Sequence, residues 1–187
     1  MVQRVRCFIA VWVEDLAVRE RIRQFQEALV GTGAILKLVN PEYFHTTLLF
    51  LGEIPAVLVE RVKQTLQGIR FHPIRARLMG VGTFGGRRPR VIWVGVREGA
   101  EELKRLAAQV VNALRPLGIR PDKEFVPHFT VARVKAVPSL DRLRKVLESF
   151  KDFEFGEVVF RKVYLKRSQL TPRGPIYTTL FEVLAVE

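Results

Sequence analysis

Cysteine is nearly absent from this sequence of 187 residues, because Cys7 is the only one. An intrachain disulfide and a metal centre built from cysteines are therefore excluded, and a reducing compartment is the natural expectation. The sequence also lacks any apolar run near the ~18 residues of a membrane helix. The stretch from Cys7 to Val13 has no small-residue cleavage site and ends at Glu14, so it is interpreted as a strand and not as a signal peptide. We expect a cytoplasmic protein without a membrane partner.

Acidic residues are few, with 19 aspartates and glutamates against 31 lysines and arginines and a net charge of +12. Such a surplus favours an anionic partner, nucleic acid before membrane, although a solvated basic surface is the simpler alternative. Apolar residues make up 48% of the chain and charged residues 27%. This balance excludes a disordered or coiled-coil protein. The length is that of one domain, or of two small lobes that share a core.

The hydrophobic pattern predicts helices interspersed with strands along the whole chain. Apolar residues recur at helical spacing in four segments, which begin near Asp15, Pro55, Leu103 and Ser139. Strand composition is found in segments 6–13, 35–39, 46–51, 74–79, 91–96, 129–134, 158–167 and 177–186. Short connections near 80–90 and 171–174 favour antiparallel hairpins over parallel winding. The sequence therefore predicts an α+β protein.

Histidine is also rare, yet two of the three histidines begin the same pattern, His-x-Thr followed by an apolar residue. The copies are His45-Thr-Thr47-Leu and His128-Phe-Thr130-Val, each at the start of a predicted strand. Because side chains alternate across a strand, each copy should place an imidazole and a hydroxyl on the same face. The competing interpretation is a pair of hydrogen-bonded core histidines beside ordinary β-branched strand residues.

Two such strands facing one another would line a cleft with two imidazoles and two hydroxyls. One imidazole can act as a base and the other as an acid near neutral pH, while each threonine donates a hydrogen bond to a phosphate oxygen. This chemistry suits a phosphate ester and needs neither a metal nor a cofactor. The segment from Gly80 to Gly85 matches a dinucleotide fingerprint, but a strand follows it instead of a helix, so a hairpin loop is expected. His72 has no partner nearby and is interpreted as a loop residue.

With these motifs the sequence resembles the 2H phosphoesterases, and among them the RNA 2′,3′-cyclic phosphodiesterases of the LigT or ThpR type, also called 2′-5′ RNA ligases. The segments that carry the resemblance are 6–11, 45–53, 82–85, 89–96, 126–133, 165–168 and 174–177. It implies one domain over residues 1–187, made of two intertwined, pseudo-symmetric lobes. Their sheets should be largely antiparallel, with helices on the outer faces and a central cleft lined by the two His-x-Thr strands.

The resemblance also implies roles for particular residues. His45 and His128 match the catalytic histidines of the family, and Thr47 and Thr130 match its phosphate-binding threonines. It leads us to expect His45 as the acid and His128 as the base that activates water. Arg133, five residues after His128, matches an arginine placed at the nucleotide, against the simpler interpretation of a surface arginine.

Two aromatic residues, Phe8 and Tyr177, are further candidates for nucleotide binding, although strand aromatics usually belong to a core. The activity implied is metal-independent hydrolysis of RNA 2′,3′-cyclic phosphate ends to 2′-phosphates, with reversible, ATP-independent 2′-5′ ligation. RNA ends or small cyclic nucleotides are the expected partners of a monomer without protein partners. Two alternatives stay open: a basic RNA-binding protein without turnover, and a related phosphodiesterase acting on cyclic ADP-ribose phosphate or 2′-5′ oligoadenylate.

Overall fold

Two antiparallel sheets organise the chain, which the computed structural model describes over residues 1–187. The first sheet has the order β3-β1-β8-β9 and the second the order β2-β6-β5-β4-β7. Their strands are β1 (Arg4–Trp12), β2 (Ile35–Leu38), β3 (His45–Pro55), β4 (Ile74–Phe84), β5 (Val91–Val96), β6 (His128–Ala136), β7 (Glu154–Phe160), β8 (Lys162–Thr171) and β9 (Gly174–Leu184). The predicted α+β class with antiparallel hairpins is confirmed.

All four predicted helices are present, and the first and the fourth begin directly after a residue whose side chain caps them. The helices are α1 (Leu16–Val30), α2 (Ala56–Leu66), α3 (Ala100–Leu114) and α4 (Leu140–Ser149). The Asp15 carboxylate accepts from the Val18 amide at 2.9 Å and so satisfies a free amide in the first turn of α1. The third helix is shorter than its apolar pattern suggested, because Pro116 turns the segment Arg115–Leu117 into a 3₁₀ helix. None of the helices combines the length and the apolar composition that a membrane span requires.

The predicted single strand over 158–167 is wrong, because this segment belongs to two strands in different sheets. β7 ends at Phe160 and pairs with β4, whereas β8 begins at Lys162 and pairs with β1. Only Arg161 separates them. No glycine or proline marks the break, and apolar residues continue on both sides, so the pattern alone indicated a continuous strand. The crossing at Arg161 brings the chain back from the second sheet to the first.

Both motif strands carry a β-bulge directly after the threonine. In β3, Thr47 lies opposite Ala10 and Leu49 opposite Ile9, which leaves Leu48 as an extra residue. In β6, neighbouring residues of β5 pair with Thr130 and then with Ala132, which leaves Val131 as the extra residue. Because the extra residue shifts the alternation, two successive side chains of each strand are buried in the core. The two strands therefore share an irregularity as well as a motif.

A core of 38 buried residues connects the helices with one face of each sheet. The opposite face of the first sheet carries a separate aromatic cluster with Phe8, Ala10, Trp12 and Tyr164. The bulge of β6 is tied to the first helix, since the Gln26 amide donates to the Val131 carbonyl at 2.8 Å. One face of the first sheet is thus free to line a cleft while the other is closed by the core.

Candidate active site

The first residue of each motif strand is a histidine, and a hydrogen bond joins the two strands at this point. The backbone N–H of His128 donates to the Thr46 hydroxyl at 3.4 Å. Thr46 is only 1% exposed and belongs to β3, while His128 begins β6 in the other sheet. The structure therefore brings together two motifs that lie far apart in the sequence.

The two imidazole rings are held in the same way. His45 Nδ1 lies 2.6 Å from the Tyr43 carbonyl, and His128 Nδ1 lies 2.6 Å from the Val126 carbonyl. A carbonyl oxygen can only accept, so each Nδ1 carries the proton that it donates. In the neutral ring Nε2 is then the unprotonated nitrogen, available to take a proton from a ligand or, once charged, to give one back.

Thr47 and Thr130 lie two residues beyond the histidines and are half-buried, whereas the residues between them, Thr46 and Phe129, are buried. This confirms the expected alternation of the two faces. Neither motif hydroxyl forms a hydrogen bond with another protein side chain or with the backbone, in contrast to the Thr46 hydroxyl. Both are free to donate to a ligand oxygen.

His45 is enclosed by aromatic rings. Trp12 stacks on it with the ring centroids 4.5 Å apart and an angle of 13° between the planes. Phe8 lies 5.2 Å from the imidazole and Tyr177 meets it edge-on at 5.6 Å. The Trp12 indole is fixed in turn by a 2.7 Å hydrogen bond to the Glu42 carbonyl. Of the two aromatic candidates from the sequence, Phe8 is 3% exposed and supports the stack from behind, while Tyr177 is half-buried.

His128 has a looser aromatic environment. Phe84 meets the imidazole edge-on at 4.9 Å and Trp93 lies 6.2 Å away. Trp93 lies against Gly82, where an added Cβ would come within 2.3 Å of the indole. The segment from Gly80 to Gly85 belongs to the β4–β5 hairpin, as expected from the sequence, and the glycine at position 82 is explained by the close approach of this ring.

The site is electropositive and desolvated. Burial lowers the pKa of His45 to about 4, and the charges of His128, Lys166 and Arg133 act in the same direction. Burial also lowers the pKa of His128, together with Lys123 and Arg133. No acidic side chain pairs with either ring. Both histidines are therefore neutral at pH 7 in the free protein, and a bound phosphate anion would favour their charged forms.

The positive charge of Arg133 acts on three titratable groups of the site. It lowers the pKa values of His45 and His128. It also opposes the burial that raises the pKa of Tyr177. The Arg133 side chain is exposed on β6 and forms no ion pair. The structure thus places this candidate on the same strand as His128, with an exposed guanidinium whose charge acts on both histidines.

Several residues of the site were not singled out from the sequence. Lys166 Nζ lies 4.5 Å from the Trp12 ring centroid and donates to the Thr179 hydroxyl at 2.6 Å. Burial lowers its pKa. The missed residues are Trp12, Tyr43, Phe84, Trp93 and Lys166. Strand alternation from Phe8 could have found Trp12, since both lie on one face of β1; the others depend on which strands pair.

The low pKa of His45 makes stability depend on pH. Between pH 6.5 and about 4 the unfolded chain binds a proton at His45 that the folded protein does not, so the free energy of unfolding falls as the pH falls. The expected loss from this group is about 3 kcal/mol, complete near pH 4 and absent above pH 6.5. Urea unfolding of the parent protein and of His45→Asn from pH 7 to pH 4 measures it as the difference between two curves.

Carboxylates that titrate in the same window affect both proteins equally and cancel in that difference. His72→Asn, at an exposed histidine, is the matched control and should follow the parent curve. Parallel curves for the parent protein and His45→Asn would contradict the assigned desolvation.

The antiparallel two-sheet fold with its doubled histidine–threonine strands places the protein among the 2H phosphoesterases. The family model described as the 2′-5′ RNA ligase superfamily matches residues 13–168. A curated relative from Aeropyrum pernix, named RNA 2′,3′-cyclic phosphodiesterase, is 42% identical over 88% of this chain and 95% of its own. One of the same name from Archaeoglobus fulgidus is 40% identical over 94% and 98%. The chain belongs to the 2′-5′ RNA ligase superfamily.

Solved structures agree with this assignment. A crystal structure of a Thermus thermophilus protein is 32% identical, with a TM-score of 0.78 over 96% of this chain and 97% of its own. The crystal structure of E. coli LigT with 3′-AMP has a TM-score of 0.80 over 99% of this chain and 100% of its own. At 21% identity, the LigT structure supports the fold alone.

Proposed function

We propose that the protein hydrolyses the 2′,3′-cyclic phosphate at RNA ends to a 2′-phosphate, using two histidines and no metal. The observation that carries the proposal is the matched pair of imidazoles, each with Nδ1 bound to a backbone carbonyl and Nε2 left for proton transfer. The relatives from Aeropyrum pernix and Archaeoglobus fulgidus, at 42% and 40% identity, are named RNA 2′,3′-cyclic phosphodiesterase.

In the proposed reaction, water attacks the phosphorus atom while His128 Nε2 takes its proton. The new P–O bond forms as the bond from phosphorus to the ribose O3′ breaks. His45 Nε2 gives its proton to O3′, which leaves as a hydroxyl, and the phosphate remains on O2′. One imidazole gains a proton and the other loses one, so exchange with solvent restores the starting state.

The two motif hydroxyls hold the non-bridging phosphate oxygens in this scheme. Thr47 and Thr130 approach from the two lobes, and their donors are most effective where negative charge increases in the transition state. Arg133 adds a positive charge beside both histidines. Tyr177, with Phe8 behind it at 5.2 Å, offers a ring to the terminal nucleoside.

The general acid must be protonated before the reaction, and His45 takes up this proton less readily than a solvent-exposed histidine would. Burial favours its neutral form by lowering its pKa. We infer that the phosphate itself supplies the balancing negative charge, so that proton uptake by His45 accompanies substrate binding. The role of acid comes from the family resemblance, and the tests below discriminate it from the reverse assignment.

Ligation follows from the same geometry. If an RNA 5′-hydroxyl takes the place of water, attack on the cyclic phosphate yields a 2′-5′ phosphodiester with the same two proton transfers. The energy of the strained cyclic phosphate drives this step, so ATP is not required. We propose it as a side activity of the one site, in a monomer whose residues 1–187 form a single domain.

Turnover in the presence of a chelator tests the proposal. RNA with a 5′ label and a terminal 2′,3′-cyclic phosphate should be converted to a 2′-phosphate product at an unchanged rate in excess EDTA. The product is identified by its resistance to enzymes that need a free 2′-hydroxyl. RNA that binds without conversion would support the non-catalytic alternative, and a rate abolished by EDTA and restored by a divalent metal would refute the metal-independent mechanism.

A further inference from the structure

Phe50 occupies the position in β3 that Arg133 occupies in β6. Each lies five residues after the histidine of its motif. An odd spacing normally places two strand residues on opposite faces. The bulges at Leu48 and Val131 each add one residue, so Phe50 and Arg133 return to the face of the histidines. The cleft is thus continued by an aromatic ring from one lobe and a guanidinium from the other.

The register places Phe50 next to the phosphate-binding threonine along the cleft. Thr47 pairs with Ala10, and Phe50 pairs with Phe8, two residues further along β1. Two residues of a strand span about 7 Å, which is the scale of one nucleotide step rather than of a second contact to the same phosphate. Phe50 therefore lies beyond Thr47, on the side away from His45.

Phe50 is 42% exposed although it lies in the middle of a strand. Single exposed apolar residues are common on protein surfaces and need no function. Phe50 differs because a cation is stacked on it: Arg6 Cζ lies 4.9 Å from the ring centroid. Only three phenylalanines are exposed, and two of them, Phe50 and Phe84, border the cleft, while Phe153 lies elsewhere.

The charge of Arg6 acts on Tyr177, the ring proposed for the terminal nucleoside, as well as on Phe50. Its charge opposes the burial that raises the pKa of Tyr177, as the charge of Arg133 does. Its guanidinium forms no ion pair or side-chain hydrogen bond, whereas the neighbouring Arg4 donates to the Glu53 carbonyl. The cleft thus contains an exposed ring and an unpaired cation next to the site of the terminal nucleotide.

We propose that Phe50 and Arg6 form a subsite for the penultimate nucleotide of an RNA strand, the one directly before the terminal nucleotide that carries the cyclic phosphate. The base of this nucleotide stacks on the Phe50 ring, and Arg6 contacts the phosphate that links it to the terminal nucleotide. Stacking on an aromatic ring is tolerant of sequence because every base has a π face. The subsite rests on the proposed function and deepens it, since it favours RNA ends over free cyclic mononucleotides.

Substrate length tests the role of Phe50. The measured quantity is kcat/KM for a dinucleotide ending in a 2′,3′-cyclic phosphate, divided by kcat/KM for the corresponding nucleoside 2′,3′-cyclic phosphate. Phe50→Ala should lower this ratio about tenfold, because it removes one base–aromatic stack. Phe50→Tyr keeps a ring and should keep the ratio. Phe153→Ala, at 37% exposure outside the cleft, is the matched control and should also keep it.

Salt dependence tests the role of Arg6. Binding of a short RNA that ends in a 2′-phosphate should weaken with salt, and Arg6→Gln should reduce the log-log slope by about 0.7, the value for one phosphate contact on a single strand. Arg61→Gln, at an exposed position on α2, is the matched control for loss of one positive charge. Its slope should equal that of the parent protein.

An unchanged length ratio in Phe50→Ala, or an unchanged slope in Arg6→Gln, would overturn the subsite. The binding measurement also separates this proposal from the proposed function. If the parent protein hydrolysed neither substrate, the function would fail, while selective loss of affinity for the dinucleotide product over the mononucleotide product in Phe50→Ala would still support the subsite.

Discussion

Alanine at His45 or at His128 should lower kcat/KM for an RNA 2′,3′-cyclic phosphate by at least ~10²-fold. Each ring has its Nδ1 bound to a carbonyl 2.6 Å away, so Nε2 is its only group for proton transfer. No carboxylate forms a hydrogen bond with either ring, so none stands ready to replace the imidazole in proton transfer. The double variant should be little worse than the more damaged single variant, because both rings act in one step.

His72→Ala controls for loss of a histidine outside the cleft and should keep the parent rate. Circular dichroism and thermal unfolding establish that the catalytic variants remain folded, which matters most for His45 beneath Trp12. Full activity in either folded variant would contradict the role assigned to that histidine.

Removing both motif hydroxyls should cost at least ~10²-fold in kcat, through Thr47→Val combined with Thr130→Val. Valine keeps the branched shape of the half-buried side chain, so the change is confined to the donor. Each single variant should lose less, about tenfold, because the other threonine still holds the phosphate. Steady-state kinetics on the four proteins gives the comparison.

Thr65→Val, at a half-buried threonine on α2, is the matched control and should leave kcat unchanged. A double variant no slower than its singles would show that the two hydroxyls do not share the phosphate. A drop confined to KM would place their contribution in ground-state binding instead of in the transition state.

Most helices and strands of this fold could be predicted from the sequence, because caps and apolar spacing act within a single segment of the chain. The helix at Leu16–Val30 follows from an Asp15 cap and from Val18, Ile22, Phe25 and Leu29 at helical spacing. Sheet assignment is not local. The boundary at Arg161 arises because β7 pairs with β4 while β8 pairs with β1, and nothing in the segment itself records those partners.

The same division holds for the site. His45, Thr47, His128 and Thr130 could be found from a repeated motif, and strand alternation placed them on the correct face. The stacking of Trp12 on His45 depends on their pairing across β1 and β3, and burial of a strand tryptophan is compatible with an ordinary core. Phe50 was hidden for a further reason, because only the bulge at Leu48 turns it toward the cleft.

The leaving group of the substrate provides the most direct test of paired acid–base catalysis. His45→Ala and His128→Ala are each compared with the parent protein on an RNA cyclic phosphate and on an aryl phosphodiester whose leaving group needs no proton. We expect His45→Ala to recover most of its activity on the aryl ester, while His128→Ala stays impaired on both substrates. Recovery of His128→Ala alone would reverse the two roles, and equal recovery of both variants would contradict the division of labour between the histidines.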